Sequence, residues 1–243
     1  MSARRQVGVV ATTAFRSSSR FSLRHPVIRY RPHVRTVLYL HGFASSPSGR
    51  KIALLREALP ASEFRLVAPD LNKPSFQRLD FEAIIDVALE AAKATPPAVV
   101  VGSSLGALAA LAAARRGVTA PLVLIAPALG FGSRWLDKLA PGDPVRFFHH
   151  GQGRELEIHR RFFEQMAQLK IDREAPAQRV TVLMGVNDES VPFDGVSEVW
   201  QRWEASGQLA KGSSFTAIPN GDHGLVEHVG LIADAIRSSV TTG

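Results

Sequence analysis

The sequence predicts a three-layer αβα fold, in which a mostly parallel sheet lies between two layers of helices. Two observations predict it. From Thr36 onward, short runs rich in Val, Leu and Ile alternate with segments in which apolar residues recur at helical spacing. The strand-like runs are almost continuously apolar, as in strands that are covered on both faces. Regular alternation of strand and helix favours βα units and therefore a parallel sheet.

The predicted elements follow one another in alternating order. The helix over 80–94 is the clearest, because apolar residues recur at i, i+3, i+4, i+7 and i+8 from Phe81. The helix over 105–117 has Arg in its last turn and Gly at its end, which is typical of a helix C-terminus. The other predicted helices span 48–59, 194–206 and 224–240, and the predicted strands span 36–40, 64–70, 98–102, 121–127, 179–185 and 213–219.

A long segment between Gly130 and Pro176 interrupts this alternation. Pro and Gly residues punctuate it, and residues 155–169 favour a helix. A connection of this length is typical of a lid or binding insertion at the carboxyl edge of the sheet. An ordinary crossover helix with a decorated loop is the alternative.

The composition is that of a globular protein with one domain. Of the 243 residues, 45% are hydrophobic and 21% are charged, which is enough for one sizeable core. The chain has no Cys, which excludes disulfides, a thiolate nucleophile and thiolate ligation of zinc. No apolar run approaches the roughly 18 residues that are needed to span a bilayer.

The formal net charge of +7 is concentrated at the N-terminus. Residues 1–35 contain eight Arg and no acidic residue, so residues 36–243 carry a charge of −1 (+7 minus +8). Since the basic residues belong to the tail, we expect no nucleic-acid binding by the folded part.

Residues 1–35 form a basic, Arg- and Ser-rich extension that precedes a domain of residues 36–243. Three interpretations stay open: an organellar transit segment, a disordered or partly docked extension, or a pair of edge strands. A secretory signal fits less well, because the apolar run in this segment is short and only mildly hydrophobic. We predict a cytoplasmic protein, with an organellar location as the alternative if the extension is a transit peptide.

A candidate nucleophile lies where the strand over 98–102 meets the helix that starts at Leu105. The sequence Gly102-Ser103-Ser104-Leu105-Gly106 matches G-x-S-x-G. In this pattern the central serine stands on a sharp, strained turn, and its neighbours at −2 and +2 must be small for the strand and the helix to approach. We therefore predict Ser104 as the nucleophile and Ser103 as a small neighbour that helps the turn to close.

A serine nucleophile needs a base, and the base needs an orienting acid. On this architecture the expected chain order is serine, acid, histidine. Asp188 follows one later strand end and His223 follows the last, so we predict Asp188 as the acid and His223 as the base. Glu189 is the alternative acid, and Asp222 is expected to serve the turn beside His223.

Two backbone N–H groups are predicted to form an oxyanion hole. One belongs to Leu105, which follows the nucleophile at a helix N-terminus. The other belongs to Phe43, in the loop that follows the first strand. His41 is expected to shape that loop. No metal site is predicted, because no His, Asp or Glu near His41 shows ligand spacing.

The stretches "LYLHGF.SSP", "VGSSLG", "G.NDE.VP" and "GDHG" together resemble the α/β-hydrolase superfamily, and most closely its small bacterial YqiA-like esterase branch. The resemblance covers Thr36 to the C-terminus. It implies an α/β-hydrolase fold, in which the long segment between Gly130 and Pro176 is expected to be an inserted lid or cap. It also implies a Ser-His-Asp hydrolase of carboxylic esters or thioesters that uses neither a metal nor an organic cofactor.

The expected activity is therefore cleavage of a small-molecule acyl ester or thioester through an acyl-enzyme intermediate. Two alternatives stay open: acyl transfer, C–C hydrolysis or a lyase reaction on the same triad, and a non-catalytic hydrolase-like binding protein. The oligomeric state is not predicted. The candidate residues of an apolar acyl pocket are Phe43, Leu129, Phe131, Trp135, Phe147 and Phe148.

Overall fold

A parallel sheet forms the centre of the computed structural model, which describes residues 34–130, 136, 139 and 141–241. The strands, in chain order, are β1 (Arg35–Leu40), β2 (Phe64–Val67), β3 (Val99–Ser103), β4 (Leu122–Ile125), β5 (Val145–His149), β6 (Arg154–Ile158), β7 (Val180–Gly185) and β8 (Ser214–Ile218). The central sheet has the order β2-β1-β3-β4-β7-β8, and every neighbouring pair in it is parallel. Strands β5 and β6 form a separate antiparallel hairpin.

Helices cover this sheet and complete the predicted three-layer fold. They are α1 (Arg50–Ala58), α2 (Phe81–Ala94), α3 (Leu105–Arg115), α4 (Arg161–Gln168), α5 (Phe193–Ala205) and α6 (Val229–Thr241). Helix α1 packs on α6, and α2 packs on α3. Helix α2 begins at a side-chain cap, because Asp80 accepts a 3.0 Å hydrogen bond from the Ala83 N–H.

The sequence pattern of the central strands follows from their burial. Every residue of β3 and β4 is buried. Helix α3 is buried over almost its whole length, and its many Ala residues let it lie close to the sheet. Strands that are covered on both faces have no solvent side to carry polar residues, which explains the continuous apolar runs.

The order of the strands determines where the site lies. The chain goes from β1 outward to β2 and then returns to β3 on the other side of β1. Such a reversal leaves a crevice at the carboxyl ends of the two inner strands. In the pairing register Leu40 of β1 lies beside Gly102 of β3, so the loop after β1 and the turn after β3 start side by side.

The insertion differs from its prediction. The helix predicted over 155–169 is wrong in its first part, because residues 154–158 form strand β6 and only 161–168 are helical. Cross-strand pairing explains the difference: Leu156 lies opposite Phe147, and Ile158 lies opposite Val145. These partners supply a tertiary contact that overrides a helical pattern.

Several predicted ends also differ. The predicted strands 64–70 and 121–127 end earlier, at Val67 and Ile125. The last helix begins at Val229 and not at residue 224, after a short 3₁₀ turn over Val226–His228.

The predicted N-terminal extension lies outside the described residues, apart from Val34 and Arg35. Arg35 already pairs with Phe64 between β1 and β2. Phe131 and Trp135 also lie outside the described residues. Among the helices of the described residues, none is long and apolar enough to cross a membrane.

Candidate active site

Ser104 occupies the sharp turn between β3 and α3, and its backbone has φ 53° and ψ −114°. A positive φ is costly for a residue with a side chain, and it persists only where the surroundings hold it in place. Here the Ser104 N–H donates to the Ile125 carbonyl at 2.9 Å, and the Ser104 carbonyl accepts from the Ala107 N–H at 3.0 Å. The turn is therefore fixed by both the neighbouring strand and the helix.

The two glycines that flank this turn have steric reasons to be there. A Cβ atom on Gly102 would lie 2.5 Å from Ala107 Cα, where the helix crosses the strand. A Cβ atom on Gly106 would overlap the carbonyl oxygen of Leu40 in β1. The close approach that was expected of G-x-S-x-G is present on both sides of Ser104.

His223 and Asp188 form a hydrogen-bonded pair beside this turn. The distance from His223 Nδ1 to Asp188 Oδ2 is 2.7 Å. The other oxygen, Asp188 Oδ1, accepts from the N–H groups of Ser190 at 2.9 Å and Val191 at 2.8 Å. The Asp188 side chain is fully buried, whereas the neighbouring Glu189 is exposed.

The hydrogen bonds of this pair determine which ring nitrogen can act as a base. Because Asp188 is an acceptor, the Nδ1 atom of His223 carries the proton, and Nε2 is left as the acceptor. Ser104 and His223 line the same cavity. In the described part of the chain, no hydrogen bond joins their side chains. Such bonds in hydrolases commonly tighten only when substrate is bound.

The loop over residues 41–49, which we call the oxyanion loop, lies directly against the nucleophile turn. A Cβ atom on Gly42 would come 3.4 Å from Ser104 Cβ. Phe43 follows Gly42 and lines the cavity, as does Leu105. Leu105 is the first residue of α3, so its N–H has no intrahelical acceptor. Both predicted oxyanion donors therefore belong to segments that border Ser104.

His41 is buried at the start of the oxyanion loop. Its Nδ1 atom lies 2.9 Å from the Gly42 carbonyl, and its Nε2 atom accepts from the Leu71 N–H at 3.1 Å. These partners require a neutral ring that is protonated at Nδ1. Burial lowers the pKa of His41 in agreement with this. The position of His41 fits the loop-shaping role that the sequence predicted.

The site opens into a cavity of about 590 Å³, a size typical of small-molecule sites. Of the predicted pocket residues, Phe43, Phe147 and Phe148 line it. Leu129 is buried and is not among the described residues that line the cavity. Sequence reasoning missed the apolar face of α4, from which Phe162, Phe163 and Met166 line the same space. The helical spacing of these three residues was the signal that could have identified them.

Sequence reasoning also missed a lysine in this cavity. Lys51, the second residue of α1, donates a 3.0 Å hydrogen bond from Nζ to Ser103 Oγ and lines the cavity beside Ser104 and His223. Burial lowers the pKa of Lys51 to about 8, although the charges of Asp222 and Asp188 oppose this shift. The sequence carries no local signal for this contact, because Ser103 lies 52 residues from Lys51 in the chain.

The remaining histidines near the insertion are not grouped as metal ligands. Within the described residues, no cluster of three or more His, Asp or Glu could hold a metal ion. His149 at the end of β5 is buried, and its ring meets Phe76 edge to face at 4.7 Å. Neither of its ring nitrogens has a hydrogen-bond partner in the described structure. His149 thus packs the hairpin against the body of the protein.

Solved structures of other proteins have a similar fold. The esterase domain of a Rhodothermus marinus protein has a TM-score of 0.63 at 18% identity, over 87% of this chain and 88% of that chain. Est1E from Butyrivibrio proteoclasticus with bound ferulic acid has a TM-score of 0.64 at 17% identity, over 84% and 87%. The monoacylglycerol lipase of Paleococcus ferrophilus has a TM-score of 0.61 at 18% identity, over 84% and 94%.

At these identities the solved structures show a shared fold. No curated protein sequence matches significantly. The model of an uncharacterised protein family, UPF0227, matches residues 36–219, which is most of the chain. The match and the fold confirm the resemblance to the α/β-hydrolase superfamily and its YqiA-like branch, and the chain belongs to the UPF0227 family.

Proposed function

We propose that this protein is a serine hydrolase that cleaves a carboxylic ester or thioester through an acyl-enzyme intermediate. One observation supports the proposal above all others. A buried aspartate holds a histidine at 2.7 Å beside a serine with strained backbone, at the carboxyl edge of a parallel sheet. This is the arrangement that nucleophilic catalysis by a serine requires.

In the first step, Ser104 Oγ attacks the acyl carbonyl while His223 Nε2 removes the hydroxyl proton. Asp188 stabilises the imidazolium that forms and keeps its Nδ1 proton directed inward. The negative charge that develops on the carbonyl oxygen is stabilised by the N–H groups of Phe43 and Leu105. His223 then gives its proton to the departing alcohol or thiol.

In the second step, water enters and His223 acts again as the base. The water attacks the acyl carbon, the same two N–H groups stabilise the oxyanion, and Ser104 is released with its proton restored. Two easier acyl-transfer steps thus replace one difficult hydrolysis. Apart from the substrate and the water, every group that these steps use is a side chain or a backbone N–H of this chain.

The substrate that suits the cavity carries an apolar acyl or alcohol group. Phe43 lies in the oxyanion loop, and the centre of its ring lies 5.3 Å from that of Phe147 and 6.0 Å from that of Phe162. The Phe43 ring, which would border the reacting carbonyl, therefore forms one aromatic wall of the cavity together with Phe147 and Phe162 of the insertion. Apolar walls with a few polar groups at one end are typical of small-molecule sites.

Labelling with a fluorophosphonate probe, followed by peptide mapping, tests the proposal. We expect covalent labelling of Ser104, and loss of both labelling and ester hydrolysis in Ser104→Ala. Ser197→Ala, on α5, is the matched control and is expected to keep both. Absence of labelling in the unmodified protein, or full hydrolysis by Ser104→Ala, would contradict the proposal.

A substrate panel then defines the reaction. We expect turnover of 4-nitrophenyl esters or acyl thioesters with release of the free acid. Acyl transfer to an added alcohol in preference to water, or turnover of a C–C substrate alone, would identify one of the alternative reactions on the same three residues.

A further inference from the structure

Ser103, the residue immediately before the nucleophile, lies between two polar side chains from different elements. Lys51 of α1 donates to its hydroxyl at 3.0 Å. The phenol of Tyr39, on β1, interacts with the same Ser103 side chain. Tyr39 and Ser103 are both buried, and Lys51 is half-buried at the cavity wall. The mechanism proposed above uses none of these three side chains.

Tyr39 and Lys51 stand on either side of the oxyanion loop in the chain. Tyr39 lies in β1 just before the loop, and Lys51 lies in α1 just after it. The C-terminal end of the segment that carries the Phe43 N–H is therefore hydrogen-bonded, through Lys51, to the residue next to Ser104, and the Tyr39 side chain at its other end lies close to the same residue. Gly42, inside the loop, also packs against the Ser104 Cβ position.

The charge of Lys51 has no close partner of opposite sign. Among the described residues, no carboxylate lies within ion-pair distance of its ammonium group. A half-buried cation without such a partner costs stability, which is the kind of cost that functional sites carry. The charged and titratable groups that line this cavity or act on the Lys51 charge are Tyr39, His41, Arg50, His150, Asp172, Asp188, Asp222 and His223. Arg50 itself pairs with the exposed Glu227 at 4.0 Å.

We propose that Lys51 is a positioning residue that acts through Ser103. By holding the Ser103 side chain, it fixes the oxyanion loop against the nucleophile turn and sets the separation between the Phe43 and Leu105 N–H groups. This inference rests on the proposed function, since it concerns the same oxyanion hole. It assigns a role to a side chain that does not touch the reacting atoms.

The kinetic consequence is specific. An oxyanion hole binds the transition state more tightly than the ground state, so a displaced donor lowers kcat and leaves KM nearly unchanged. We expect Lys51→Met to lower kcat, and the maximal rate of fluorophosphonate labelling, by about tenfold to a hundredfold. Lys93→Met, the same change on an exposed lysine of α2, is the control and is expected to match the unmodified protein.

A double-mutant cycle separates positioning through Ser103 from a general effect of the charge. Ser103→Ala breaks the same hydrogen bond but keeps the lysine. If Lys51 acts through Ser103, Lys51→Met combined with Ser103→Ala will be no slower than Lys51→Met alone, within about twofold. Multiplied effects of the two substitutions would contradict this. If Lys51→Met does not fold, the kcat and KM of Ser103→Ala decide the question, because that variant removes only a hydroxyl.

The pH profile supplies a second readout. Because the pKa of Lys51 is lowered to about 8, the ammonium charge is lost above that pH. The neutral amine can still donate to Ser103, but the hydrogen bond loses the strengthening that the charge supplies. We therefore expect kcat of the unmodified protein to fall above about pH 8, and the profile of Lys51→Met to lack this fall. Equal rates and equal profiles in both proteins would overturn the role of Lys51 and leave the proposed function intact. Absence of labelling in the unmodified protein would overturn both.

Discussion

The carboxylate of Asp188 lies 2.7 Å from the imidazole of His223, but the two side chains differ greatly in their exposure to solvent. The Asp188 side chain is fully buried, whereas 31% of the His223 side chain is exposed. One end of the pair is thus fixed by backbone N–H groups, while the other faces the cavity. This asymmetry suits an acid that only orients and a base that must reach a substrate.

Asp188→Asn is expected to lower kcat by about three to four orders of magnitude, because an amide can donate to His223 and reverse the tautomer of the ring. The Ser190 and Val191 N–H groups can still donate to the amide oxygen of the asparagine, so the fold is expected to persist. The measurement is ester hydrolysis together with thermal unfolding. Glu189→Gln, the same kind of change one residue later, should leave kcat within about twofold. A similar loss in both variants would argue against Asp188 as the specific acid.

Gly106→Ala is expected to destabilise the protein strongly, because its Cβ would overlap the Leu40 carbonyl oxygen. This overlap can be removed only if helix α3 moves away from β1. We expect a loss above about 3 kcal/mol, in the upper part of the range for single substitutions. Gly230→Ala, in α6 where an added Cβ meets open space, is the matched control and should be neutral or stabilising. Denaturant unfolding of both variants measures the difference.

Stability is expected to fall as the pH drops below about 6.5. Burial lowers the pKa of His149 in the folded state, whereas the unfolded chain has the ordinary value of 6.5. Between the two values the unfolded state binds more protons, so acid favours unfolding, with a slope of up to about 1.4 kcal/mol per pH unit. His41 contributes in the same direction.

His149→Phe tests the share that belongs to His149. A phenyl ring keeps the edge-to-face contact with Phe76 and removes two buried nitrogens without partners. We expect a shallower dependence of the unfolding free energy on pH. His150→Phe changes an exposed neighbour and should keep the original slope. An unchanged slope in His149→Phe would show that its protonation does not limit stability.

Phe147→Ala is expected to shift the substrate preference toward longer or bulkier apolar groups, because Phe147 lines the cavity and contacts Phe43. The measurement is kcat/KM across a series of 4-nitrophenyl esters of increasing acyl length. Phe215→Ala, which removes an aromatic contact with Trp200 away from the cavity, should lower stability without changing the order of preference. The same order of preference for acyl length in the unmodified protein, Phe147→Ala and Phe215→Ala would exclude Phe147 from the acyl pocket.

The elements that carry the proposed triad could be predicted because local sequence determines them. Ser104 lies between a fully apolar strand and a helix, with glycines where the backbones meet, and Asp188 and His223 follow strand ends. The hairpin could not be predicted as easily. Leu156 and Ile158 fit a helical pattern as well as an alternating one, and their partners across the hairpin, Phe147 and Val145, decide between the two. The local signal of a hairpin was the glycine at position 153, which adopts a φ of 65° in the turn between the two strands.

The role of Lys51 could not be read from the sequence for a different reason. Its partner Ser103 lies 52 residues away in the chain, and only the tertiary fold brings the start of α1 and the end of β3 together. A lysine near the start of a helix is ordinarily an exposed residue. Its half-buried position at the cavity wall is a property of the tertiary structure alone.

The β5–β6 hairpin makes its backbone ladder within its own two strands and adds no strand to the central sheet. Changes in its length or side chains therefore leave the pairing register of the six parallel strands untouched. Ser104, Asp188 and His223 stand at strand ends of the central sheet, so their backbone positions do not depend on the strands of the hairpin. A changed hairpin can thus reshape the apolar wall at Phe147 without a new backbone for the proposed triad.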